Sequence, residues 1–574
     1  MNPIQNSTCG PRRLLLWYGL ATLLAVFTYF YGLDSDHIPK NGDEYPYSHI
    51  TRLTAASGHL LPLQSELDGM RNTKPPLLFW QGIASTGWGK NWTLWHLRYP
   101  SVIYTLLTAL MVFLLGWKLS RQLATGFLAL LTFLAFFSTY RYGRPFLTDP
   151  PEVFWLFVPL FVLLYWPRSG SRFLAPVLLG LGIGLGLLYK SFALLLPVML
   201  CLSWWFLQQR GYRLATFLVK DAWKLAVMAF ISLAVFSLWF VLDPNPQAVF
   251  KEFVLGENVG KFDPHGGSYL AKLLWGGSSV WLMVASYPLN AGLLAFPVVM
   301  TFFVAWKRRG QTADAEKLLW MWVVTLVVVF SLPSQRDERY LLPGMPALAI
   351  LCALNWHQIS RKAFVASLAA AGALVVFAAC LSIQLQRGMT GVQIYPATYW
   401  ALLIATATII ALAFLPRYTR SGVNVASLMV LLCFAAFMRP LDGALGNFSA
   451  EAQRYAAGKD VWVPINFRAK EEGYRFTLPG ANARPYRYDP RPTATELGRQ
   501  YPLFIIRLPM KDPDPTGSRI LGQRLDVEGR QSSSQIKEML RGKVFENLFI
   551  KELLIETSGP GTNAASNAAV EARR

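Results

Sequence analysis

Charge is scarce in this 574-residue chain: 15% of its residues are Asp, Glu, Lys or Arg, where soluble domains carry about a quarter. With 53% hydrophobic residues, that scarcity excludes a soluble protein of several domains. Cysteine is almost missing too. Cys9 lies in the N-terminal tail, and Cys201, Cys352, Cys380 and Cys433 sit in or beside apolar runs, none with a CxxC partner. No disulfide framework and no cysteine-metal site is expected. There is no P-loop or Gly-rich phosphate fingerprint, so no soluble nucleotide site is required. The lack of an internal repeat weighs against inverted-repeat transporters.

What is present is a series of about thirteen apolar runs, each close to the roughly 20 residues a helix needs to cross a bilayer. They fall near 14–33, 100–117, 122–139, 151–166, 173–189, 192–208, 225–242, 289–306, 318–332, 340–356, 363–383, 398–415 and 424–438. The first run is long and ends at Asp34 without a small-residue cleavage pattern. It is expected to stay as the first span.

The net charge of +21 is explained by where the cations lie. With the N-terminus cytoplasmic, the inward segments hold 18 Lys/Arg, among them Lys307, Arg308 and Arg309, against the three acids Asp221, Asp314 and Glu316. The outward loops hold 15 Lys/Arg and 14 acids, and the segment after Met438 holds 21 and 16. This is the positive-inside pattern. It leaves no basic surface for nucleic acid, and it places the C-terminal segment outside. The expected domains are therefore 1–438, a transmembrane unit with large outer loops 34–99 and 243–288, and 439–574. The latter reads as a small α/β unit with strands at Val461–Ile465, Leu503–Leu508 and Ile520–Val527, a helix near Ser533–Lys543, and a disordered tail Ser558–Arg574.

Polar residues gather on the outer face rather than inside the spans, which fits an enzyme working at the membrane–water boundary. Amphipathic stretches at Tyr47–Leu63 and Leu77–Trp88 predict helices lying on that face. Five clusters stand out there: Gly42-Asp43-Glu44-Tyr45; Thr73-Lys74-Pro75-Pro76; Arg144–Pro150, with Asp149 at the start of the fourth span; Glu257–Phe262 followed by His265; and Ser334–Pro343, with Arg339-Tyr340 entering the tenth. Each has a plain alternative, such as a hydrated loop, a helix N-cap at Asp149, a surface histidine or an interfacial anchor. Their shared face makes them a set.

That set resembles the polyprenyl-phosphate-sugar glycosyltransferases of the GT-C fold. It is most similar to the bacterial relatives of protein O-mannosyltransferases, including the lipid A aminoarabinose transferases. Asp-Glu after the first span, Lys-Pro-Pro in the first outer loop, Asp149 at the fourth span and Arg339-Tyr340-Leu341-Leu342-Pro343 carry the resemblance, which runs over about 34–353. Arg98-Tyr99-Pro100-Ser101, the stretch around Lys190-Ser191 and Glu257-Asn258-x-Gly260-Lys261-Phe262 add to it. Two positions depart from the aminoarabinose branch: Tyr45-Pro46-Tyr47 stands where Arg-Tyr-Ala is usual, and Thr73 where a Glu usually precedes the lysine.

The resemblance implies a polytopic α-helical GT-C protein with an extracytoplasmic α/β domain, in a bacterial inner membrane, monomeric, with its active site on the periplasmic face. The implied donor is a sugar on undecaprenyl or another polyprenyl phosphate, and the implied acceptor is lipid A. Membrane lipids are the implied surroundings. Asp43, Glu44 and Asp149 become the implied catalytic acids, with Asp43 orienting or deprotonating the acceptor. Lys74 and Arg339 would hold the departing phosphate, with Tyr340 as a hydrogen-bond donor. A divalent metal is the one cofactor the resemblance brings in, with His265 as its ligand, and Thr73 leaves it without the usual acid. Alternatives are transfer to a protein hydroxyl or a polysaccharide and, from another class, a transporter or flippase, which would carry ionisable residues deep in several spans.

The charge pattern yields a topological prediction. A cysteine placed at Ser533 is expected to react with an impermeant thiol reagent in intact spheroplasts. Labelling only after lysis would reverse the orientation.

Overall fold

Apolar runs become helices because a helix satisfies its own backbone N–H and C=O groups where lipid offers no partner. The computed structural model describes residues 11–37, 42–67, 70–166, 174–262, 269–276, 279–389, 391–443, 445–465, 469–487, 491–516, 518–527 and 531–557. Helix stands in each of the thirteen apolar runs. Among the described residues, seven helices are long and apolar enough to cross a membrane, and the remaining runs carry shorter or interrupted ones. His265 and the tail Ser558–Arg574 lie outside the described residues.

The N-terminal part of the chain carries Asp43, Lys74 and Asp149. In order come α1 (Pro11–Phe30), α2 (Glu44–Ala56), α3 (Leu77–Ser85), α4 (Leu94–Ser120), α5 (Leu123–Ala135), α6 (Phe137–Tyr142), α7 (Asp149–Tyr165) and α8 (Leu174–Leu187). α2 and α3 are short helices of the first outer loop, close to where amphipathicity placed them. α2 stops earlier than its pattern, because the chain turns at Gly58 with a φ of +74°. α4 begins at Leu94, capped by Thr93, whose hydroxyl accepts the His96 N–H. The first outer loop therefore ends near Thr93 rather than Tyr99, and Arg98 is helical. α8 packs on the helix Ala222–Leu242 through Gly180 and Gly184, where a Cβ on Gly184 would lie 2.7 Å from Val235.

Arg98 and Glu44 fix how α2 sits on the bundle. Arg98 Nε and Nη2 donate to the two Glu44 oxygens at 2.6 and 2.7 Å, and Nη1 donates to the Leu33 and Ser35 carbonyls. Glu44 Oε1 also accepts the Phe146 N–H at 2.8 Å. Both side chains are buried. Fork-to-fork pairing of this kind is directional, so α2, α4 and the turn before α7 are held in one geometry.

The C-terminal unit is a five-stranded mixed sheet. Its strands are β1 (Asp460–Ile465), β2 (Asn482–Arg487), β3 (Leu503–Pro509), β4 (Arg519–Val527) and β5 (Phe549–Glu556), in spatial order β2-β1-β3-β5-β4. β1 pairs in parallel with β2 and β3, while β5 runs antiparallel to β3 and β4. The register sets Arg507, Glu552 and Arg524 side by side, and both arginines bind the buried Glu552. This unit docks on α2. Glu472 receives His49 Nδ1 at 2.9 Å and Arg52 Nη2 at 2.6 Å. Burial raises the Glu472 carboxyl, but the bonds from His49 and Arg52 outweigh it and bring it down to about 2. Gly473 lies against Tyr45, whose hydroxyl would be 2.9 Å from an added Cβ.

Glu44→Ala or Arg98→Leu alone strands a charge in the interior, and each is expected to cost about 3–5 kcal/mol. Thermal unfolding of the solubilised chain should show a lower Tm for either single change. The neutral pair Glu44→Gln/Arg98→Met should recover most of the loss.

Candidate active site

Asp43 is the residue before α2, in N-cap position, yet its side chain makes no capping bond. It turns instead to Arg339, whose Nη1 lies 2.7 Å from Asp43 Oδ2. Arg339 sits in the short helical turn Glu338–Gly344. Three bonds fix that turn. Asp337 accepts the Arg339 N–H at 2.8 Å, Asn290 donates to the Glu338 carbonyl at 2.9 Å, and Trp322 donates to the Pro343 carbonyl at 2.8 Å. The other side of the guanidinium grips Asp149, with Nη2 to Oδ2 at 2.6 Å and Nε to Oδ1 at 3.3 Å. Burial works against the Arg339 cation, and Asp149 more than restores it, so its pKa is raised.

The ion chain continues inward. Lys190 Nζ reaches Asp149 Oδ1 at 3.1 Å and Glu152 Oε2 at 2.5 Å. Lys190 lies in the break between α8 and the helix Leu195–Gln209, where Ser191 accepts the Ala193 N–H and donates to Asn258 at 2.6 Å. Five charged groups thus form one line: Asp43, Arg339, Asp149, Lys190 and Glu152. Asp149 and Glu152 are almost fully buried, whereas the Asp43 side chain is 49% exposed. The network is deep at one end and open at the other.

Lys74 belongs to a neighbouring clip. It pairs with Glu257, and Asn72 beside it donates twice to Glu252, so the Lys-Pro-Pro turn is bound to the π-helical segment Phe250–Asn258. The Leu77 N–H donates to the Leu188 carbonyl at 3.3 Å, which joins this turn to the break at Lys190. Buried Tyr47, on α2, lies within the field of Asp43, Arg339, Asp149 and Glu257. Burial first and the Asp43 carboxylate next push its phenol well above the ordinary value, so it stays an O–H donor.

The structure brings Asp43, Asp149 and Arg339 into direct contact, with Lys74 in the adjacent pair. The Tyr340 ring lies tilted against Phe330, and the Lys190 ammonium lies 5.9 Å from its ring centre. Glu44 is a correction. It is adjacent to Asp43 in sequence, but the helix turns it inward, where Arg98 and the Phe146 N–H occupy both oxygens. It is a structural anchor of α2. Among the described residues no group of three His, Cys, Asp or Glu could hold a metal ion. Sequence reasoning gave Lys190, Glu152 and Tyr47 no role. A lysine between two apolar runs and a glutamate at the start of another must find partners in a low-dielectric interior, and that was a signal for the first two. Tyr47 gave none.

Comparison with known proteins agrees with this architecture. Residues 20–249 match the family model of dolichyl-phosphate-mannose-protein mannosyltransferase. The chain is 28% identical over 425 residues to the undecaprenyl phosphate-alpha-4-amino-4-deoxy-L-arabinose arabinosyl transferase 1 of Sodalis glossinidius, covering 69% of this chain and 70% of that one. It is 27% identical to the corresponding transferase 2 of Proteus mirabilis, covering 67% of each. In fold it is similar to the crystal structure of ArnT from Cupriavidus metallidurans bound to undecaprenyl phosphate. The TM-score is 0.58 at 16% identity, over 95% of this chain and 98% of that one. The chain thus has the fold of that ArnT structure, the GT-C type, and is similar in sequence to the undecaprenyl phosphate arabinosyl transferases.

Proposed function

We propose that this protein is an integral-membrane glycosyltransferase that moves a sugar from undecaprenyl phosphate to lipid A at the periplasmic face of a bacterial inner membrane. The observation that carries the reading is the Arg339 guanidinium held between half-exposed Asp43 and buried Asp149 at the mouth of the bundle. The names of the sequence relatives support a polyprenyl phosphate donor and a 4-amino-4-deoxyarabinosyl group as the sugar moved.

The chemistry follows from charge. A donor with its lipid chain in the bilayer presents a phosphodiester-like head at the outer boundary. The C1–O bond to the phosphate breaks as an acceptor oxygen bonds to C1, and the electron pair stays with the polyprenyl phosphate. Negative charge therefore grows on the phosphate during reaction. Lys74 and Arg339 are the cations available to meet it, each now occupied by carboxylates that hold it in place beforehand. Asp43, open to solvent on one side, faces the acceptor. A lipid A phosphate is already ionised and needs only orientation, while a protein hydroxyl would need its proton taken. The mannosyltransferase family match favours the hydroxyl as the second reading.

Purified protein supplied with labelled undecaprenyl-phosphate sugars and with lipid A or Ser/Thr peptides tests both readings. Labelled lipid A supports the first, labelled peptide alone the second, and no transfer to either rejects both. Asp43→Asn is expected to abolish transfer while leaving yield and Tm near wild type. Transfer close to the wild-type rate would remove Asp43 from the mechanism.

Lys74→Ala and Arg339→Ala are each expected to lower kcat/KM on the order of 10- to 100-fold for any donor sugar. This follows from the roughly 1.5–3 kcal/mol of a hydrogen bond to a charged group. Interfacial anchoring alone would lower yield and leave specific activity unchanged. Unaltered donor kinetics would sink the phosphate assignment.

A further inference from the structure

One cavity of the protein lies away from the ion chain. It is a groove of about 730 Å3 between α1, the helices Ala397–Phe414 and Thr419–Met438, and the C-terminal unit. Its wall is apolar where Phe27, Leu402 and Leu432 of the helices line it, and Phe476 of the C-terminal unit lines it too. Its rim carries the acids Asp34, Asp36 and Asp442 and the cation Arg439. Asp442 also accepts the Asp36 N–H at 2.9 Å and lies 3.0 Å from His37 Nδ1, and Asp36 accepts the Tyr45 hydroxyl. Arg439 and Asp34 meet at 3.0 Å and both are about half exposed, so the pair faces the groove without being buried by it. None of the five groups of the ion chain, nor Lys74 or Glu257, lines it.

An apolar wall and a charged rim, where helices of the bundle meet the C-terminal unit, match an amphiphile standing in the outer leaflet. The charge on the rim selects among such amphiphiles. Three carboxylates around one guanidinium repel a head that is only anionic, and they suit one carrying both a phosphate and a cation. A primary ammonium brings three N–H donors to carboxylate acceptors, whereas a quaternary ammonium brings none. We propose that this groove is a binding site for a phospholipid with a zwitterionic primary-amine head, phosphatidylethanolamine, with its phosphate at Arg439 and its ammonium among Asp34, Asp36 and Asp442. The site is independent of the transfer chemistry proposed above.

Native mass spectrometry tests it, using the full chain in mild detergent with an equimolar mixture of dioleoyl phosphatidylethanolamine, phosphatidylglycerol and phosphatidylcholine. The ethanolamine lipid is expected to be retained about 10-fold over the other two, the scale of one or two charge-assisted hydrogen bonds. Ala436→Trp, which fills the groove, should abolish that retention. Equal retention of the three lipids, or undiminished retention by a folded Ala436→Trp protein, overturns the site. Should that variant fail to fold, Asp34→Asn/Asp442→Asn leaves the groove open and is expected to erase the preference for the amine. A preference that survives in the double variant overturns it equally.

Discussion

A guanidinium in a membrane protein's interior has to be satisfied on every side, and Arg339 is satisfied by residues far apart in the chain. Asp43 lies 296 residues before it and Asp149 190 residues before it. One planar group thus joins the start of α2, the start of α7 and the turn that enters a later span. Because Asp149 is buried and bound to both Arg339 and Lys190, its loss would take a carboxylate from two cations at once, leaving them Asp43 and Glu152. Asp43 is the exposed partner and can exchange Arg339 for solvent or substrate at lower cost. The network is held firmly where it is buried and is open to exchange where it is exposed.

Asp43 and Glu44 show how a helix start divides labour between adjacent residues. They have the same chemistry and neighbouring positions, but successive residues in a helix point about 100° apart. One carboxylate therefore meets the site and the other is driven into the bundle against Arg98. Glu44 fixes the near end of α2, and Glu472 of the C-terminal unit holds the helix further along through His49 and Arg52. The direction in which Asp43 points is set by contacts that are not themselves at the site.

Much of this was legible in the sequence. Apolar runs located the helices because hydrophobic length is a direct physical requirement of the bilayer. Asp43, Asp149 and Arg339 could be grouped because they fell on one face under a charge-derived topology. What sequence could not give was side-chain direction: the Asp-Glu pair read as one acidic unit, and only the helix phase separates its members. In the C-terminal unit, β5 was missed because Lys551, Glu552, Leu553 and Leu554 also suit a helix, and pairing with β3 and β4 decides the matter. β2 was missed because Pro485 and its exposed arginines mark it as non-strand, a sequence tolerated because β2 is at the sheet's edge.

The two supports of α2 also impose an order on assembly. Synthesis runs from the N-terminus, so Asp43 and Glu44 emerge early and Arg98 soon after, and one end of the helix can be seated while most of the chain is still unmade. Arg339 arrives only when the later spans are inserted, and Glu472 later again, with the segment beyond the last membrane helix. Until then the exposed carboxylate has no guanidinium beside it and the helix is held at one end. The Asp43–Arg339–Asp149 contact therefore forms late in biogenesis, and a chain stalled before its C-terminal unit would occupy the membrane with α2 still lacking its Glu472 support.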